Sequence, residues 1–136
     1  MKNYNTRMLF CFIFFQIGCS TAATEIYPYE PAIVQLQGVL ELEEKFGPPN
    51  FGEFPETDQR LNIYVLNLIR PIHVGTPDSL SELNDRPIEN VSRIQVIFQN
   101  NSSDIISLIG ETIVLEGSLS KQLSSHDFYP VQFRVF

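Results

Sequence analysis

The sequence contains no tryptophan, two cysteines and two histidines. Each scarcity closes off a chemistry. His73 and His126 stand far apart among scattered acids, whereas a zinc site needs three or four ligands at recognisable spacing. Neither a metal nor a cofactor is therefore expected. Without tryptophan, the aromatic-lined cleft in which paired carboxylates hydrolyse glycosides is hard to build, although carboxylates are plentiful. GxSxG, a phosphate-binding glycine loop, HExxH and CxxC are all missing. No catalytic residue is assigned, and an enzyme here would have to be of an unfamiliar type.

The cysteines belong to the N-terminal segment. Lys2 and Arg7 supply positive charge, Met8 to Ile17 form an apolar run, and Ser20 to Ala23 are small. This order is that of an export signal, and the run is too short to span a bilayer, which takes about 20 apolar residues. Residues 1–23 are read as the signal and 24–136 as one domain. Two cuts compete. IGCS resembles the lipobox of bacterial lipoproteins, with Cys19 as the lipidated first residue, although Gln16 stands where an aliphatic residue is usual. Ser20 then suits sorting to the outer membrane. The other cut is signal-peptidase cleavage after Ala22 or Ala23. Either way Cys11 leaves with the signal, so no intramolecular disulfide can form and stability must come from a core. The expected location is the periplasm, with a lipid anchor under the first cut.

Positive charge is also scarce. The chain has nine Lys and Arg against sixteen Asp and Glu. Removing residues 1–23 takes away two cations and no acid, leaving a net charge of −9. Such a surface repels phosphate backbones, so nucleic acid is excluded as a partner. A cationic partner would suit it. Asn90-Val91-Ser92 and Asn101-Ser102-Ser103 match the glycosylation triplet, to which no role is assigned.

What is present is period-two alternation. The lead-in TEIYPYEP reads as irregular. Ile33 to Glu44 places Val34, Leu36, Leu40 and Leu42 on one side, with Gly38 in the middle of that side. Leu61 to Ile69 is a second strand, apolar on both sides through Ile63, Val65, Leu66 and Leu68; Pro71 to Val74 continues or edges it. After a polar loop from Gly75 to Asn90, Val91 to Gln99 is a third strand. Asn101 to Asp104 offers helix-cap chemistry before Ile105 to Ile109 and Gly110, which reads as a short helix. Thr112 to Leu119 and Tyr129 to Phe136 complete five strands. VQLQGVL (34–40) and IVLEGSL (113–119) echo one another, a coincidence between two strands bent at Gly38 and Gly117. Bent strands close small barrels. The expected fold is mainly β, a small five-stranded OB-like barrel with one short helix between strands 3 and 4.

Taken in order, YEPAIVQLQGVLELEEKFGPPNFGE, PIHV, VSRIQVIF and LIGETIVLEGSL resemble the segments of a bacterial family catalogued as domain of unknown function family 4431. The resemblance covers residues 29–136, and GPPNFG is its most specific piece. It implies an exported protein and supplies no activity. Members often carry a His-rich segment after the last G-x-L; here that stretch is SKQLSSHDFYPV, with His126 alone, which weakens any histidine role.

GPPNFGEFP (47–55) packs three prolines, two glycines and two phenylalanines into the connection after the first strand. In an OB barrel that connection lies at a mouth of the ligand surface. Phe51 or Phe54 is expected to plug the barrel end, with Glu53 and Glu56 outside; the alternative is that the rings face a partner. Candidate binding residues are Phe51, Phe54, His126 and Tyr129. Three functions stay open: a non-catalytic envelope module binding a protein or small molecule; an immunity or inhibitor protein against a basic envelope-targeting enzyme; and an enzyme, which would need a polar cluster in a deep pocket.

Overall fold

The computed structural model describes residues 25–75, 87–99, 103–124 and 127–136. Six strands form one sheet: β1 (Ile26–Tyr27), β2 (Val34–Phe46), β3 (Arg60–Val74), β4 (Ile88–Phe98), β5 (Thr112–Lys121) and β6 (Val131–Val135). β2, β3, β4, β6 and β5 pair in that circular order, and the β2–β5 ladder closes the ring. All ring contacts are antiparallel except β4–β6, which is parallel. This is the five-stranded barrel expected from the alternation, in OB connectivity. β1 is the addition. It lies within the lead-in read as irregular and pairs in parallel with the end of β3 at His73 and Val74. Two residues are too few to leave an alternation signal.

The barrel interior is filled by the inward positions. Leu36 and Leu40 of β2, Leu66 and Leu68 of β3, Ile94 and Val96 of β4, Leu119 of β5 and Phe133 of β6 belong to one buried cluster. Of the two readings of Pro71 to Val74, continuation holds: β3 runs without a break through Pro71 to Val74. Proline lacks the ladder donor, and it sits where the β3–β4 register shifts between Asn67 and Ile72.

The two glycine-centred segments turn out to be ladder partners. Val34 faces Gly117, and Gly38 faces Ile113. The glycine of each thus lies opposite the leading β-branched residue of the other. Each glycine also pairs on its other edge, Gly38 with Leu68 and Gly117 with Val135. These are the places where β2 and β5 pass between neighbours and the sheet coils. A Cβ on Gly38 would collide with the Asn67 carbonyl, and one on Gly117 with the Arg134 carbonyl.

Between β4 and β5 the expected short helix is a 3₁₀ helix, Ser103–Leu108. Its end is tied to β2: the Gly110 N–H donates to the Leu40 carbonyl at 2.7 Å, and the Leu40 N–H to the Glu111 carbonyl at 3.2 Å. Ile105 is buried in the cluster and Leu108 packs against it. So short a run, pinned within two residues of its end, favours the tighter helix.

Candidate functional site

OB barrels present ligands with the outer face of their second and third strands and with the loops around it. Here those strands are β3 and β4, and their outer face is already covered around Ile63, Val65 and Gln95, while Asn67 and Ile69 farther along β3 stay exposed. Val65 is fully buried and Ile63 nearly so, yet neither joins the interior cluster that holds Leu66. Alternation sends them to the outer side. That explains the apolar run on both sides of this strand: one side fills the barrel and the other lies beneath a roof.

The roof comes from the β5–β6 connection, of which residues 122–124 and 127–130 are described. Its Phe128 N–H donates to Gln95 Oε1 at 2.9 Å, and Gln95 stands beside Val65 in the β3–β4 ladder. The Tyr129 hydroxyl donates to Glu43 Oε2 at 3.0 Å. Lys45 Nζ is 2.8 Å from the same Glu43 oxygen, and Arg93 bonds both Glu41 and Glu43. The Lys45 and Arg93 cations stand 5.5 and 5.8 Å from the Tyr129 ring centre. The hydrogen bond from Lys45, with those from Tyr129 and the charge of Arg93, holds the Glu43 carboxyl below its usual range despite burial. Burial and the Glu43 bond push the Tyr129 hydroxyl up. This network ties together residues 86 positions apart and is internally satisfied around Glu43. Tyr129, a candidate binding residue, thus sits in the roof. The roof folds on itself as well, since Asp127 Oδ2 accepts the N–H groups of Leu123 and Ser124 at 2.8 Å each. His126 and Cys19 lie outside the described residues.

The other OB element is the β2–β3 connection, residues 47–59, which contains GPPNFGEFP. Two backbone bonds close its base: Gly47 N–H to the Gln59 carbonyl at 2.7 Å and Gln59 N–H to the Pro48 carbonyl at 3.0 Å. The Pro48–Pro49 peptide is cis. Asp58, 9% exposed, turns into the loop. Its Oδ1 accepts the Asn50 N–H at 2.8 Å and its Oδ2 the Gly52 N–H at 2.7 Å. These two amides flank Phe51, whose φ is +52°, a left-handed conformation that bulky residues rarely adopt. Strained conformations persist where the surroundings over-determine them. Here a carboxylate grips both neighbouring peptides.

The result corrects the plug expectation. Phe51 is 41% and Phe54 53% exposed, so neither ring closes the barrel; Phe133 and Ile105, fully or nearly buried, fill the interior instead. Glu53 and Glu56 are exposed, as expected. The side chain that the loop turns inward onto its own amides is Asp58, not an aromatic. No local pattern marked Asp58, since its partners lie six and eight residues away across a turn-rich segment.

Two concavities accompany these elements. A cleft of about 370 Å³ opens where β2 and β3 part beyond Gly38 and Leu68, with Tyr27, Gln35, Gln37 and Arg70 among its lining. A shallower one lies beside Glu30, Ile33, Arg134 and Phe136. No carboxylate or histidine lines the first, and the second holds the Glu30–Arg134 ion pair at 3.6 Å. Among the described residues, no three His, Cys, Asp or Glu side chains gather as a metal site.

Asp58 makes the loop's integrity dependent on pH. Burial pushes its carboxyl up, but the Gly52 and Asn50 N–H groups outweigh this and hold it below the ordinary aspartate value. A carboxyl depressed in the folded state stabilises above its unfolded value, and that contribution is lost as pH falls through the depressed value. The Asn50 and Gly52 amide resonances should therefore hold through the ordinary aspartate range and shift only at more acidic pH. Asp58→Asn should abolish that step. Titration of both amides at the ordinary aspartate value would show that the carboxylate does not grip them.

The fold and this loop define a class: a small OB-type barrel whose strand face is partly self-covered and whose first barrel loop leaves two aromatics partly exposed. Beyond that class, no family model, curated protein or solved structure matches the chain.

Proposed function

We propose that the protein is an exported cell-envelope binding module without catalytic activity, and that loop 47–59 is its docking element. The observation that carries this reading is the pairing of rigidity with exposure. Two phenylalanines stand in solvent on a loop closed at its base and gripped at Asn50 and Gly52. A loop ordered before binding loses little entropy on docking, and rigid aromatics are efficient anchors. The partly covered β3–β4 face favours the loop over the usual strand surface. The positive, apolar, small order of residues 1–23 supports export, and IGCS supports a lipid anchor at Cys19. Membership in family 4431 is proposed on the GPPNFG run and the segments around it.

A photo-crosslinking phenylalanine analogue placed at position 51 or 54 in the living host tests the docking role. Discrete adducts are expected from these positions and not from Val114, which is 59% exposed on the outer side of β5. Equal labelling at all three, or none at 51 and 54, defeats the proposal. Mass spectrometry of the same purified chain reads the N-terminus: Cys19 with lipid under one cut, Ala23 or Thr24 under the other. An intact Met1 on most molecules would overturn export.

A further inference from the structure

Loop 47–59 joins its apolar tip to a single sign of charge. Between Gly47 and Gln59 there are three acids, Glu53, Glu56 and Asp58, and no Lys or Arg. Asp58 is turned inward onto backbone amides. Glu53 and Glu56 are exposed, and among the described residues no hydrogen bond or ion pair engages either carboxylate. The cations that flank the loop are already committed. Lys45 is paired with Glu43, and Arg60 is paired with Glu44 and stands 5.2 Å from the Phe46 ring centre. Among the described residues, no cation is therefore paired with the loop's outer carboxylates.

We infer that this loop docks onto a folded protein that presents an apolar pocket rimmed by Lys or Arg. The inference rests on the docking role proposed above and adds the partner's chemistry. Both rings are partly exposed, and among the described residues neither belongs to the lining of the two clefts named above, so a pocket on the partner is the natural seat for them. Seating Phe51 and Phe54 brings Glu53 and Glu56 to the edge of the contact. Carboxylates drawn out of water there are costly unless matched by cations. With that match they steer the encounter and set its register. The same carboxylates repel a nucleic-acid backbone and the anionic headgroups of a membrane.

The test uses the full chain carrying the photo-reactive residue at position 54, flashed briefly so that adduct yield follows the rate of association. The expected adduct is with a basic protein. Raising the salt from 0.05 to 1 M in permeabilised cells shortens the range of charge interactions to about 3 Å, so the yield should fall roughly tenfold. The double variant Glu53→Lys, Glu56→Lys should lower it similarly at low salt, while Glu53→Asp, Glu56→Asp should retain most of it. Both positions are exposed, so unchanged thermal unfolding of these variants confirms that folding is intact. The salt series on the parent chain needs no such control. An adduct insensitive to salt and to charge reversal, or formed with an acidic protein, overturns the inference and leaves the docking role standing. An adduct with phospholipid overturns it in favour of a membrane contact. No adduct at position 51 or 54 removes both.

Discussion

Gly117→Val is expected to lower the free energy of unfolding by about 3 kcal/mol, the upper part of the usual range for overpacking. At Gly117, β5 is paired on one edge with Val34 of β2 and on the other with Val135 of β6. Any Cβ there would come closer to the Arg134 carbonyl than the 3.0 Å that real Cβ atoms keep. The obstacle is backbone within a ladder, so relief requires parting β5 from β6 at the point of barrel closure. Gly38→Val should follow, at about 2–3 kcal/mol, because its Cβ would meet the Asn67 carbonyl and the buried Leu66 side chain. Urea unfolding measures both. Unchanged midpoints for the pair would mean that these positions do not carry the closure.

Phe133→Ala is expected to cost about 3–5 kcal/mol. Phe133 is fully buried, faces Leu119 across β5–β6 and Val96 across β4–β6, and is the largest side chain wholly inside the barrel. Removing its ring leaves a cavity walled by three strands of a closed sheet, which has little freedom to collapse. The informative comparison is Phe54→Ala. With 53% of that residue in solvent, its loss should change stability by no more than about 0.5 kcal/mol, as for other surface positions. Thermal or urea unfolding of the two variants side by side separates a core aromatic from a presented one. A Phe54→Ala variant as unstable as Phe133→Ala would return the loop ring to the core and remove the basis for docking.

Alternation of apolar and polar residues along β2, β4, β5 and β6 determined the β class and most of the interior, because which side of a strand a residue takes is a local property. Gly38 and Gly117 were legible as places of close backbone approach for a similar reason: a side-chain-free position inside an apolar strand is costly unless something approaches closely. Their mutual pairing, which turns an apparent coincidence of two segments into a ladder, required the strands to be laid side by side. The prolines and glycines of GPPNFGEFP marked an ordered, irregular loop, and its phenylalanines marked it as more than a linker. Burial of those rings was the natural expectation for apolar side chains, and it failed because burial is decided by what else competes for the space. Phe133 and Ile105 fill the barrel, and the loop turns in Asp58, held by two amide donors that come together only once the loop has closed. Likewise Val65 and Ile63 read as two-sided hydrophobicity in sequence, while their cover arrives from the segment of Phe128 and Tyr129, after β4 and β5 have been laid down. Tyr129 and Glu43 meet across 86 positions. The sequence by itself thus determined strand faces, places of close backbone approach and the charge of the surface, which depend on neighbours along the chain. Tertiary structure alone decided which aromatic is core, which is presented and which face is closed, because those depend on contacts between segments that no local pattern encodes.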